Sequence, residues 1–177
     1  MDRMEEDETI EACKRGDMAA YQRIYERYEQ PLLRTACRML RRQEDAEDAV
    51  QETFLKLHRG INGFRRGARF STYLFRILLN TCYDVLRLRS KAGFEDLDAD
   101  LLPHYSSHEA EHCLMEAVEA LPRQMKACFL LFAVEEFTQD EVARILDISV
   151  GSVKVNVHRA RQKLRAWLAV SLEGGKA

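Results

Sequence analysis

Apolar residues recur every three or four positions along most of the chain and nowhere alternate long enough to argue for a strand, so the elements predicted are amphipathic helices. The first sixteen residues are polar, with a short helix around Ile10. From Asp17, a candidate cap, to about Arg42 the pattern Met18, Tyr21, Ile24, Tyr25, Tyr28, Leu32, Leu33, Ala36, Met39, Leu40 predicts a long helix. Pro31 should break or kink it, because proline lacks the backbone donor and crowds the preceding turn. Asp45 is expected to begin the next helix, DAEDAVQETFLKLHRG, with Asp48 completing an acidic capping pattern. There Ala49, Val50, Phe54 and Leu57 face a core, while Asp45, Asp48, Gln51 and Glu52 form an acidic outer face.

Gly60, Gly63 and Gly67 mark a loop that carries Phe64, Arg65, Arg66, Arg69 and Phe70. Ser71 is the expected cap of a further helix with Leu74, Ile77, Leu78, Thr81, Val85 and Leu88 as its inner stripe. Tyr73, Arg76, Asn80, Arg87 and Arg89 are left to its other faces. Residues 92–109 interrupt the periodicity with Glu95, Asp96, Asp98, Asp100, Pro103 and two serines, and read as an acidic linker. A helix over Ala110–Ala120 follows. Pro122 suits the first turn of another, through Met125, Phe129, Leu130 and Phe132. The expected fold is all-α: two small helical domains, residues 1–91 and 110–177, joined by the linker.

The second domain closes with the most explicit local code in the chain, TQDEVARILDISVGSVKVNVHRARQKLRAWL over Thr138–Leu168. Thr138 and Glu141 form a capping box, and Val142, Ile145 and Leu146 make one apolar face. Asp147 suits the left-handed turn, though glycine would adopt it at lower cost. Ser149 caps a second helix whose Val150, Val153, Val157, Ala160, Leu164 and Leu168 form a buried stripe. Ser152, Val155, Arg159 and Gln162 point away from it. Lys154, His158, Arg159, Arg161, Lys163 and Arg165 make this helix basic, with no acid between Asp147 and Glu173. A helix-turn-helix with a basic second helix is a reader of the DNA major groove. Many helical pairs share its spacing, but an outward valine on a polar face has a use if it meets a thymine methyl group.

Net charge changes the picture only when resolved along the chain. The formal value of -2, from 27 basic and 29 acidic residues, hides segregated runs of each sign. Between Arg65 and Lys91 the only acid is Asp84, which makes a second basic surface. Aromatic and arginine side chains interleaved on a loop suit unstacked single-stranded bases, with stacking contributing about 1 to 3 kcal/mol per base. The plainer alternative is that Phe64, Phe70 and Phe75 anchor the loop in the core, the expected role for Phe75. No apolar run could cross a membrane and no signal peptide is evident, so a cytoplasmic location is expected. Cys13, Cys37, Cys82, Cys113 and Cys128 form no C-x-x-C pair and read as small buried hydrophobes. His104, His108, His112 and Cys113 are spaced for metal binding only if that polar segment is helical, and nothing else calls for a cofactor. No phosphate-binding glycine loop, nucleophile motif or acid and base pair supports an enzyme. A stand-alone regulator using only the helix-turn-helix would leave the Phe64–Asn80 surface without a role.

Two long stretches together resemble a known family. DAEDAVQETFLKLHRGINGFR followed by ARFSTYLFRILLNTCYDVLR is similar to region 2 of the extracytoplasmic-function (ECF) sigma factors of bacterial RNA polymerase. LPRQMKACFLLFAVEEFTQDEVARILDISVGSVKVNVHRARQKLR is similar to their region 4. The resemblance implies a bacterial promoter-specificity subunit that binds core polymerase, with region 2 over residues 1–91 and region 4 over 110–177. It implies that Asp45, Asp48, Gln51 and Glu52 dock on the beta-prime coiled coil and that region 4 meets the beta flap. It implies that Phe64, Arg65, Arg69, Tyr73, Arg76 and Asn80 recognise the minus-ten element and capture its melted strand. It implies that Ser152, Val155, Asn156 and Arg159 read the minus-thirty-five element as duplex, with Lys154, His158 and Arg161 holding phosphates. The linker resembles the segment that threads toward the polymerase active-site channel. An inhibitory amino-terminal region and a middle domain, found in larger relatives, have no counterpart, so an anti-sigma factor is expected. Tyr73 stands where tryptophan is frequent, Asp147 where the turn usually has glycine, and Val155 with Asn156 where a polar and a basic residue are common.

Overall fold

The computed structural model describes residues 3–65, 67, 69–91 and 115–174. Its compact units are Met1–Glu95 and Asp96–Ala177. Every regular element among the described residues is helical, in keeping with the all-α reading. The expected linker over 92–109 lies outside the described residues, as do His104, His108, His112 and Cys113.

The first unit holds α1 (Arg3–Lys14), α2 (Met18–Leu40), α3 (Gln43–Gly60), a 3-10 turn (Ile61–Gly63) and α4 (Phe70–Lys91). Asp17 caps α2, accepting from the Ala19 and Ala20 amides at 2.9 and 3.2 Å. Pro31 does not break α2, which continues through it to Leu40. Burial of Ile24, Tyr28, Leu32, Ala36, Met39 and Leu40 along one face outweighs the missing donor. Arg41 closes the helix in the left-handed region at φ 64°, its amide returning to the Cys37 carbonyl at 2.8 Å.

In the first unit two helix starts differ from expectation. Helix α3 begins at Gln43 after an Arg42 cap position that makes no side-chain capping bond, so Asp45 lies inside the first turn. There its carboxylate still favours the positive helix end. Helix α4 begins at Phe70, and the Tyr73 amide returns to the Arg69 carbonyl at 3.3 Å, which leaves Ser71 within the first turn. The inner face of α4 is also broader than a single stripe. Leu74, Leu78 and Thr81 are buried, but so are Phe75, Leu79, Cys82 and Leu86, while Leu88 is 65% exposed. The cause is that α4 packs against both α2 and α3, which widens the arc to be covered.

The second unit runs through helical residues 115–119 (α5), α6 (Arg123–Phe129) with a π turn at Leu130–Val134, α7 (Gln139–Leu146) and α8 (Val150–Gly174). Pro122 is the cap of α6 rather than its first turn, and its carbonyl accepts from the Lys126 amide at 2.9 Å. Val118, Leu121, Met125, Leu131, Val142, Ile145, Val153, Val157, Ala160 and Leu164 bury one continuous core.

Four cysteines are described: Cys13, Cys82 and Cys128 are buried and Cys37 is half-buried. Burial pushes the thiols up, Cys13 to about 11, Cys82 to about 12 and Cys128 to about 11. They are therefore protonated and poor nucleophiles at neutral pH. Because their folded values lie above the ordinary 9.0, their contribution to stability is complete below that pH and is lost as pH rises through about 11 to 12. At pH 8 the native protein should expose Cys37 to Ellman's reagent before these three, which should react at the rate of unfolding. Rapid labelling of Cys82 without unfolding would contradict the packing.

Candidate nucleic-acid interface

The turn in the second unit forms as its residues dictate. Thr138 Oγ1 accepts from the Glu141 amide at 3.3 Å, and the Glu141 carboxylate accepts from the Thr138 amide at 2.9 Å, a complete capping box. Asp147 takes φ 55° and ψ 47°, and its amide returns to the Ala143 carbonyl. Ser149 Oγ accepts from the Ser152 amide at 3.1 Å, so α8 starts where the cap predicts. Val153, Val157, Ala160 and Leu164 are buried, with Val150 and Leu168 half-buried.

The outer face of α8 is less uniform than its sequence suggests. Lys154, Val155, His158 and Arg159 are exposed, Val155 by 47%. Asn156 is half-buried, and its side-chain amide donates to the Ser152 carbonyl at 2.9 Å. Ser152 Oγ lies 2.8 Å from Ser149 Oγ. The Ser152 hydroxyl and one Asn156 amide proton are thus engaged locally, at the start of α8. Arg161 is exposed but held by its own domain, its guanidinium over the Phe132 ring at 5.4 Å.

In the first unit the loop between α3 and α4 rests on an aromatic cluster. Phe64 is 7% exposed and Phe70 2%, with ring centroids 5.5 Å apart, edge to face. Tyr73 lies 5.1 Å from Phe64, and Tyr28 lies 5.7 Å from Phe70. Lys14 of α1 stands over the Phe64 ring at 6.0 Å. Phe64 is therefore packed as an anchor in this structure rather than offered to a base. Tyr73 is half-buried, with its hydroxyl donating to the Gly60 carbonyl at 3.3 Å. A Cβ at Gly60 would come within 3.1 Å of that hydroxyl, a tight contact that would push it by a few tenths of an ångström. Arg65, Arg69, Arg76 and Asn80 are exposed, and Tyr73, Arg76 and Asn80 share one face of α4 at helical spacing. Arg87 continues that face and pairs with Asp84 at 2.9 Å.

The acidic face of α3 divides in two. Asp48 and Gln51 are exposed, and Glu52 pairs with Lys56 at 3.8 Å. Asp45 instead pairs with Arg89, which also donates to the Leu40 carbonyl at 2.7 Å. It therefore ties the end of α4 to the α2–α3 corner. Beside Asp48 and Gln51 lies an apolar patch absent from the sequence reading. Tyr25 packs at a tilt against Phe54, ring centroids 4.8 Å apart, and Tyr21 against His58 at 4.9 Å, next to exposed Leu55 and Met18. Periodicity puts Phe54 on the core face of its helix, and the structure leaves it half-buried at the edge of this patch. The signal in the sequence was Leu55, which falls off the buried stripe of its helix.

Fold and surfaces together define an all-helical DNA-binding protein built from two units. Residues 24–92 match the family Sigma-70 region 2, and residues 111–164 match Sigma-70, region 4. The ECF RNA polymerase sigma factor SigW of Bacillus subtilis (strain 168) is 31% identical over 178 residues, covering 90% of this chain and 94% of that one. SigM of Mycobacterium tuberculosis (strain H37Rv), another ECF sigma factor, is 32% identical over 164 residues, covering 91% and 83%. Among solved structures, CnrH in complex with the cytosolic domain of CnrY superposes with a TM-score of 0.71 at 25% identity, covering 92% of this chain and 96% of that one. RpoE of Bartonella quintana, solved with the anti-sigma factor NepR, gives 0.72 at 24% identity, over 85% and 97%. The chain belongs to the ECF sigma factors, and its activity is promoter-specific transcription initiation by RNA polymerase. No helix among the described residues is long and apolar enough to cross a membrane.

Proposed function

We propose that the two units divide the promoter between them, the first capturing the minus-ten element as a melted strand and the second holding the minus-thirty-five element as duplex. The observation that carries this reading is the contrast between the surfaces. One is an exposed cationic loop and helix face, Arg65, Arg69, Arg76 and Asn80, set on a rigid aromatic cluster with Tyr73 at its edge. The other is a helix-turn-helix with a basic outer helix. Extruding a base costs a few kcal/mol, and a preformed face of donors beside an aromatic edge offsets part of it. Phe64 contributes by holding Tyr73 and the loop in place. In the second unit Val155 and Arg159 reach base edges, Lys154 and His158 take phosphates, and Arg161 does so from its position on Phe132. Ser152 and Asn156 shape the edge of that face.

The exposed Asp48 and Gln51 with the adjoining Leu55, Tyr25 and Met18 form an acidic and apolar face suited to core polymerase, and we assign it to the beta-prime coiled coil. Glu52 lies at its edge, and Asp45 supports it from behind through Arg89. The second unit is assigned to the beta flap, and the action to the bacterial cytoplasm. A protein inhibitor of the anti-sigma kind is part of the proposal, supported by CnrH being held by the cytosolic domain of CnrY. Pull-down from the native host that recovers polymerase and no second partner would count against it.

Permanganate probing of the promoter separates the two roles. Holoenzyme carrying Arg76→Ala with Asn80→Ala should lose the reactive thymines of the minus-ten bubble about tenfold or more, at about 1 kcal/mol per lost contact. It should keep its protection of the minus-thirty-five duplex. Unchanged melting by this variant would remove the α4 face from the account.

A further inference from the structure

The outward line of α8 carries a feature that the packing of its own domain does not require. Gly151 lies in the first turn of α8 and is exposed. A Cβ built there would meet only Ser149 Oγ, at 3.8 Å, which is ordinary contact. Its backbone is not in the left-handed region, so neither space nor conformation demands glycine. In a helix, glycine is less favourable than alanine because it gives up more backbone freedom on folding. Nothing inside the domain therefore requires glycine at this first-turn position.

Val155 stands one turn further along. At about 100° per residue, the face formed by Val153, Val157, Ala160 and Leu164 lies nearly opposite Val155. Its side chain is therefore the outermost on the helix, and it is 47% exposed. An apolar side chain at the apex of a cationic helix is unfavourable in water and favourable against another apolar surface. The major groove offers one such group, the C5 methyl of thymine. Arg159, one turn beyond and exposed, is the neighbour able to reach a guanine edge. Four residues advance about 6 Å along a helix and stacked pairs are about 3.4 Å apart, so the two contacts fall within about two base pairs. On the polar side, Asn156 has one amide proton committed to the Ser152 carbonyl, which leaves its second proton and its carbonyl oxygen for an outside partner.

We infer that Gly151 and Val155 form a close-contact seat for the duplex, in which the missing side chain lets the DNA settle onto Val155 and Val155 reads a thymine methyl, with a guanine read by Arg159 within about two base pairs. This rests on the assignment of α8 to the minus-thirty-five element.

The test uses core polymerase with the full chain, presented with promoters whose minus-thirty-five element is randomised. The expected enriched sequence contains a thymine at which deoxyuridine, lacking only the methyl, weakens binding about fourfold. In Val155→Ala holoenzyme the same replacement should have almost no effect. Gly151→Ala should bind the enriched element at least about threefold more weakly while its melting temperature stays equal or rises, a split that a structural glycine would not give. Enrichment of an element with no thymine coupled to Val155, or unchanged binding by Gly151→Ala, would overturn the inference and leave α8 as the duplex reader. Enrichment of no sequence at all would overturn both.

Discussion

Replacing Phe70 by alanine should destabilise the first unit by about 3 to 5 kcal/mol, the largest single effect expected in the protein. Phe70 is 2% exposed and makes edge contacts with Phe64 and Tyr28. Its removal leaves a cavity that the neighbouring rings cannot fill without leaving the loop unsupported. Phe64 has its best-aligned ring contact with Phe70, so the loop bearing Arg65 and Arg69 should lose its position together with the core. Thermal melting should show a lower transition for the first unit, with the transition of the second unchanged. Phe64→Ala should cost less, because Phe64 lies at the edge of the cluster and is 7% exposed. Equal melting of Phe70→Ala and the parent protein would contradict the packing.

Arg159→Ala is the second. A bidentate contact to guanine contributes about 1 to 3 kcal/mol of discrimination, so binding to the cognate minus-thirty-five duplex should weaken roughly 5- to 150-fold. The preference at the base it reads should relax, and the salt dependence should change little beyond the lost charge. Lys154→Ala offers the contrast, since a phosphate contact weakens all sequences alike and lowers the salt slope by about one. Titrations of both variants against cognate and scrambled duplex at two salt concentrations distinguish the roles. A uniform loss in Arg159→Ala, equal on both sequences, would reassign that arginine to the backbone.

The parts of the fold that were legible are those written in local code. The capping box at Thr138, the left-handed Asp147, the Ser149 cap and the stripe from Val153 to Leu164 involve residues no more than a few turns apart, and all formed as read. The family was legible for a related reason: two long motifs stand in order. What could not be read depends on pairing across the chain. Asp45 meets Arg89 only because α4 returns to the α2–α3 corner, which turns an expected surface acid into a brace. Periodicity puts Leu88 inside α4 and leaves out Leu79 and Leu86, because a helix packed on two neighbours buries a wider arc than a stripe. Phe64 looked available to a base until Phe70 and Tyr73 closed around it. Asn156 is a local case that the sequence left open, since an asparagine on a helix can bond outward or back to its own carbonyl.

In the proposed division, this chain gives core polymerase its promoter by using one unit on melted and one on duplex DNA. Run-off transcription by core polymerase on the promoter upstream of the chain's own gene tests it most directly. A transcript from a defined start should appear only when the protein is present, be lost with Arg76→Ala and Asn80→Ala, and be weakened with Arg159→Ala. No stimulation of that transcript, together with no co-migration of the protein with core polymerase on a sizing column, would contradict it.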